Sequence, residues 1–241
     1  MLRENIKIYS FDVFDTVLTR AVVDPKDIFI LIQQRLSNID LNLLDEVIRN
    51  FYSERIWAEF RARRSTKKED IGIEDIYAQL QKRFGLNKYQ IKELINIELE
   101  LEYDAVCPIF WTINEINNLR RQGKRIVFIS DMYLPEENIK RMLIEVGAYK
   151  EGDGLYLSGE IGATKYSGSI FDYVADKENC IYSEISHCGD NLHSDVWIPA
   201  KKGIKIYKTS RKDIEKVFRQ NIFMRTREFV SIGIKLLSLR R

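Results

Sequence analysis

Two carboxylates, Asp12 and Asp15, stand three residues apart in SFDVFDTVLTR (10–20), directly after the apolar run IKIYSF (6–11). An unpaired carboxylate inside a strand costs on the order of several kcal/mol, so acids in this context belong at the strand end. Ser130 and Asp131 close a second apolar run, RIVFIS (125–130). Lys165 lies in GATKYSGSIF, and Asp190 and Asp195 follow the run EISHC (184–188) in HCGDNLHSD. A carboxylate, a hydroxyl, an ammonium and an acidic pair at successive strand ends suit phosphoryl transfer through an aspartyl-phosphate. A carboxylate that attacks phosphorus splits one difficult displacement into two easier ones. Two anions must then approach, which calls for a cation, and Mg²⁺ held by one or two carboxylates is the usual choice. Lys and Ser suit the remaining phosphoryl oxygens and their developing charge.

These residues need a sheet to bring them together. Five apolar runs read as strands: 6–11, 125–130, LYLS (155–158), 184–188 and IKIYK (204–208). Helical patterns separate the later ones. Ile109, Ile113, Ile116 and Leu119 recur at helical spacing before Gly123, and PEENIKRMLIEVG (135–147) opens on Pro and acids and closes on Gly. Alternating strands and helices predict an α/β fold with a doubly wound, mostly parallel, Rossmann-like sheet. In such sheets ligands bind beyond the carboxyl ends of the strands, where all the residues above would fall.

The stretch 21–106 breaks the alternation. It reads as four amphipathic helices, PKDIFILIQQRL, LLDEVIRNFYSERIWAEFRAR, IEDIYAQLQKRFG and KYQIKELINIELELEY. An all-helical subdomain inserted after the first strand would lie over the strand ends as a cap. Within it RARRSTKKED (61–70) reads as a solvated loop, Trp57, Phe60 and Tyr77 as cap core, and Glu98, Glu100 and Glu102 as surface acids. The expected organisation is a core of 1–20 and 107–212, a helical cap of 21–106, and a basic amphipathic helical tail of 213–241 that packs on the core or docks elsewhere.

Composition narrows the function classes. The chain has 38 Lys and Arg against 36 Asp and Glu, a net charge of +2, which favours neither a nucleic-acid surface nor a strongly acidic partner. Three scattered cysteines, Cys107, Cys180 and Cys188, form neither a disulfide framework nor a zinc site. His187 reads as a packed strand residue, and His193, without His or Cys partners, as a poor transition-metal ligand. No signal-like segment or bilayer-length apolar run is evident, so the expectation is a cytoplasmic protein without a transmembrane segment.

Four motifs in order, DVFDT (12–16), FISD (128–131), Lys165 in ATKYSG and GDNLHSD (189–195), resemble those of the haloacid dehalogenase-like (HAD) superfamily of hydrolases. The resemblance implies Asp12 as nucleophile, Ser130 as phosphate ligand and Lys165 as the cation that orients both. It implies Mg²⁺ bound by Asp12, Asp190 and the Phe14 carbonyl, with Asp195 as a direct or neighbouring ligand. Thr16 is either a turn cap or a substrate contact, and Asp131 a further substrate contact. The insert corresponds in position to the family's helical C1-type cap. The form FDT together with SDMYLP (130–135) resembles a bacterial subset that accompanies glycosyltransferases, which implies a sugar phosphate or glycan-linked phosphate as substrate and a glycosyltransferase as partner.

One position departs from that pattern. Phosphatases of the family carry a second Asp two residues after the nucleophile, as general acid and base; here it is Phe14, and Asp15 follows. Three readings compete. Asp15 or Asp131 takes over proton transfer in a Mg²⁺-dependent phosphatase acting on a small phosphorylated metabolite. The chain is a metal-independent dehalogenase, a reaction in which a second metal carboxylate such as Asp190 has no use. Or the site is a non-catalytic module that binds a phosphorylated ligand or docks a glycosyltransferase. The phosphatase accounts for most of the motif residues.

Overall fold

The computed structural model describes residues 5–207; the tail expected over 213–241 lies outside them. The chain runs β1 (Ile8–Phe11), β2 (Leu18–Arg20), α1 (Asp27–Leu36), α2 (Asp45–Ser65), α3 (Ile73–Phe84), α4 (Lys88–Asp104) and β3 (Val106–Pro108). It continues with α5 (Phe110–Arg121), β4 (Arg125–Ser130), α6 (Glu136–Glu145), β5 (Gly154–Leu157) and α7 (Ser158–Ile161). The described part ends with α8 (Ser169–Lys177), β6 (Ile185–Cys188), α9 (Ile198–Lys202) and β7 (Lys205–Ile206). The main sheet has the order β5-β4-β1-β6-β7, and every pairing in it is parallel. This is the predicted α/β architecture, with β1 at the centre.

Side chains alternate across the sheet, as a two-residue period requires. Ile126 and Phe128 of β4 enter the larger hydrophobic cluster, whereas Val127 and Ile129 enter a second one with Ile170, Phe171 and Val174 of α8. The larger cluster runs on without a break into Ile28, Ile32, Phe51, Ile76 and Leu94 of the four helices between β2 and β3. Those helices begin and end where their sequences direct. Asn87 and Gln90 form a reciprocal cap at the start of α4, with both bonds 2.9 Å. Gly85, with φ of +65°, ends α3 in the left-handed conformation.

Two short strands escaped the sequence patterns. β2 and β3 pair antiparallel, Leu18 with Pro108 and Arg20 with Val106, where the chain leaves for the helical segment and returns from it. Three residues are too few to show a period, and only the return of the chain from α4 supplies the partner.

The acids of α4 are a second correction. Glu100 is exposed, but Glu98 and Glu102 are buried, because each meets an arginine. Glu98 receives Arg55 of α2 through both oxygens at 2.7 and 2.8 Å, and the Tyr77 hydroxyl at 2.7 Å. Glu102 receives Arg20 of β2 at 2.7 and 3.3 Å. Spacing of four residues puts both acids on one helix face, and that face is turned inward.

Candidate active site

Asp12 sits one residue beyond β1, and its N–H bonds the Cys188 carbonyl at 2.8 Å, so the central strand and β6 hold it jointly. The residue is 6% exposed. The Lys165 ammonium reaches it from the turn before α8, 2.5 Å from Asp12 Oδ1 and 2.6 Å from Asp195 Oδ1. Asp12, Asp190 and Asp195 each offer an oxygen within 4.8 Å of the others. Three of the sequence-predicted acids, Asp190 among them half-buried, and the predicted lysine thus share one point at the carboxyl end of the sheet.

The charges at that point do not balance among protein groups. Burial pushes Asp12 up to about 8; Lys165 opposes this, and Asp195 and Asp190 add like charge. Burial likewise raises Asp190 to about 6, with like charge from Asp195 and Asp15. Burial also acts on Asp195, but Lys165 and His187 together reverse it and hold that carboxyl low. Two buried carboxylates and the half-buried Asp190 around one ammonium, with clustered oxygen donors, form a set that fits a hard divalent cation such as Mg²⁺.

Asp195 is held more firmly than its sequence position suggests. Its Oδ1 also bonds His187 Nε2 at 3.1 Å, and its Oδ2 accepts the Asn191 N–H at 2.9 Å. His187 Nδ1 in turn meets Ser10 Oγ at 2.8 Å, its register partner across β1 and β6. The chain Ser10–His187–Asp195–Lys165–Asp12 is buried throughout. Ser10 and His187 were legible only as polar residues in apolar strands, a sign that such groups must find partners inside. Gly189 clears the space: a Cβ there would stand 2.6 Å from both Cβ and Oδ2 of Asp195.

The remaining predicted residues divide. Ser130 is buried at the end of β4. Thr16 is buried, and its hydroxyl has no hydrogen-bond partner among the described residues. Asp131 does not present a free carboxylate: its two oxygens accept the N–H groups of Lys165 at 2.7 Å and Tyr166 at 3.2 Å. It fastens the lysine turn to the end of β4. Asp15 adopts φ of +58° in the tight turn after Asp12, where its N–H bonds the Leu18 carbonyl at 2.5 Å. Its Oδ1 accepts the Thr19 hydroxyl at 2.7 Å. Phe14 bridges to Leu18, and its ring lies 3.9 Å beneath the Arg20 guanidinium that pairs with Glu102. The residue that departs from the motif is therefore stacked under a buried ion pair at the base of the helical segment.

The run 61–70 is not simply a solvated loop. Asp70 at its end is buried, and its Oδ2 accepts the hydroxyl of Ser158 at the start of α7, at 2.6 Å. Glu69 bonds residues on either side of Lys165. Long-range partners of this kind leave no trace in a charged stretch.

No family model matches the chain, and no curated protein does. Solved structures do share its fold. An HAD phosphatase from Thermococcus onnurineus aligns over 83% of this chain and 85% of its own, with 21% identity and a TM-score of 0.52. A mutant HAD family enzyme from Bacteroides thetaiotaomicron, in complex with magnesium and inorganic phosphate, aligns over 84% and 93%, with 13% identity and a TM-score of 0.52. A dehalogenase with an intermediate complex aligns over 87% of both chains, with 10% identity and a TM-score of 0.52. The chain has the fold that HAD phosphatases and dehalogenases share.

Proposed function

We propose that this chain is an HAD-like, Mg²⁺-dependent phosphohydrolase that cleaves a small phosphorylated metabolite through an aspartyl-phosphate on Asp12. The observation that carries the reading is Lys165 bridging Asp12 and Asp195, with Asp190 completing a set of carboxylate oxygens within 4.8 Å. Displacement at a carbon–halogen centre has no use for the third acid, so the donor set supports the phosphatase reading over the dehalogenase one.

Asp12, Asp190 and Asp195 would hold the ion, which when bound neutralises charge between nucleophile and substrate. Asp12 Oδ attacks phosphorus, the bond to the leaving oxygen breaks, and water then cleaves the acyl phosphate. Lys165 places Asp12 and binds a phosphoryl oxygen, with Ser130 and the unpartnered Thr16 hydroxyl as further donors. The helical segment excludes water from the site while the phosphoryl group is transferred. The proton for the leaving oxygen comes from Asp15, since Phe14 carries none. A sugar phosphate as substrate and a glycosyltransferase as partner rest on the motif resemblance alone.

The test is Mg²⁺-dependent phosphate release from an aryl phosphate and an alkyl phosphate, with and without EDTA. Asp12→Asn abolishes both activities. Asp15→Asn lowers alkyl turnover more than aryl turnover, because only the alkoxide needs a proton to leave, and Phe14→Asp raises alkyl turnover or leaves it unchanged. Silence toward every phosphate ester in the presence of Mg²⁺ refutes the assignment.

A further inference from the structure

The turn that carries Lys165 is held from a second direction, by the segment between α2 and α3. One oxygen of Glu69, Oε2, accepts hydrogen bonds from the Thr164 N–H at 3.0 Å, the Thr164 hydroxyl at 3.0 Å, Ser167 Oγ at 2.6 Å and Ser169 Oγ at 2.7 Å. The Ser167 and Ser169 bonds are the main reason its carboxyl is drawn down to about 2. The Glu69 N–H bonds the Gly162 carbonyl at 3.3 Å.

Asp70 extends the contact. While Ser158 Oγ donates to Asp70 Oδ2, it also accepts the Met132 N–H at 2.8 Å, next to Asp131. Asp70 Oδ1 is held by Arg63 and by the Ile71 N–H at 2.9 Å. Gly159 allows the two backbones this near: a Cβ there would meet the Ile71 oxygen at 2.7 Å and the Met132 oxygen at 2.8 Å. The Thr164–Ser169 turn thus lies between a carboxylate of the sheet, Asp131, and a carboxylate of the helical segment, Glu69.

We infer that Glu69 is a positioning residue: by bonding the Thr164–Ser169 turn it sets the Lys165 ammonium against Asp12 and Asp195, so the helical segment must sit on the sheet for the site to be complete. Lys165 has one buried end, bonded to two acids, and its backbone at the other end is tied by Asp131 to the sheet. Four donors on Glu69 restrain the same turn on its other side. Releasing them leaves Lys165 attached yet free to swing, which lowers the fraction of molecules with all reacting groups aligned. The kinetic part of this inference rests on the proposed function; the structural part does not.

The experiment compares wild type, Glu69→Ala, Glu69→Gln and the pair Ser167→Ala/Ser169→Ala. Three readouts are taken: amide hydrogen exchange, calorimetric binding of inorganic phosphate with Mg²⁺, and steady-state aryl phosphate turnover. Glu69→Ala should raise exchange over residues 162–169 and leave β1 and β4 unchanged. Its kcat should fall by about tenfold to a hundredfold with KM within about threefold, the size expected for misplacement near an ångström. Glu69→Gln keeps an acceptor oxygen and should recover most of kcat, and the serine pair should repeat the loss in part without touching Glu69. Exchange that rises while kcat and phosphate affinity stay at wild-type values overturns the positioning role, and unchanged exchange overturns the contact itself. A wild type that neither hydrolyses nor binds phosphate defeats the proposed function instead. The exchange comparison then decides the contact alone, increased exchange in Glu69→Ala upholding it.

Discussion

Replacing Gly189 by Ala tests the site through a single methyl group. Gly189 lies between β6 and Asp190, and an added Cβ would stand 2.6 Å from Asp195 Cβ and Oδ2, where ordinary contact begins at 3.4 Å. Asp195 Cγ would lie nearer still, so the carboxylate must retreat by roughly an ångström, and misplacement of that size costs about 10²-fold in rate. The carboxylate has little freedom to comply, since Lys165, His187 and Asn191 hold it from three directions at 2.6, 3.1 and 2.9 Å. Moving it pulls Lys165 from Asp12 and spreads the acid cluster, so Mg²⁺ affinity falls by about tenfold to a hundredfold. Overpacking of this kind costs about 1–3 kcal/mol in stability. The matched control is Gly123→Ala, where φ is +72° and no atom lies within 4 Å of the added Cβ. That change costs about 1–2 kcal/mol through the left-handed backbone alone. Urea unfolding, calorimetric Mg²⁺ titration and aryl phosphate turnover should show similar stability losses for the two variants and a site defect for Gly189→Ala only. Wild-type Mg²⁺ affinity and turnover in Gly189→Ala would refute the packing argument.

Three further predictions concern charge. Asp12, raised to about 8, and Asp190, raised to about 6, must shed protons to bind a cation, so Mg²⁺ affinity should rise with pH up to about 8 and level off above it. Calorimetry at pH 7 in buffers of differing ionisation enthalpy should register about one proton released per ion, and none released would be inconsistent with the cluster. Arg55→Met should destabilise the chain by about 3–5 kcal/mol in urea, because it strands the buried Glu98 carboxylate, and Arg55→Met/Glu98→Leu should recover much of that loss. The Glu69 carboxyl is lowered from 4.5 to about 2, so its contribution is complete above 4.5 and lost as pH falls through about 2. The Thr164 amide resonance should titrate with a midpoint near 2, and a midpoint near 4.5 would show that Glu69 is not bonded to the turn.

The strand ends were legible because a buried parallel strand is a short apolar run, and an acid or hydroxyl closing it is chemically conspicuous. Asp12, Ser130, Lys165, Asp190 and Asp195 could therefore be picked out by type and order, and the doubly wound topology placed them at one edge of the sheet. The four helices between β2 and β3 were legible from their 3.6-residue apolar spacing and from Gly85. Periodicity, however, describes a segment against its immediate surroundings and says nothing about its distant partners. That limit explains the acids. Glu98, Glu100 and Glu102 look alike in ELELE, and only the arrival of Arg55 and Arg20 makes two of them interior residues. It also explains Asp131, read from its strand end as a substrate contact yet bonded to the lysine turn, and Glu69, a charged residue of ordinary appearance that the fold brings to the other side of that turn. Which residues are candidates for the chemistry followed from their types and order along the chain. Which residues hold them in place depended on pairings between segments up to 177 residues apart, and such pairings exist only once the hydrophobic core has drawn those segments together.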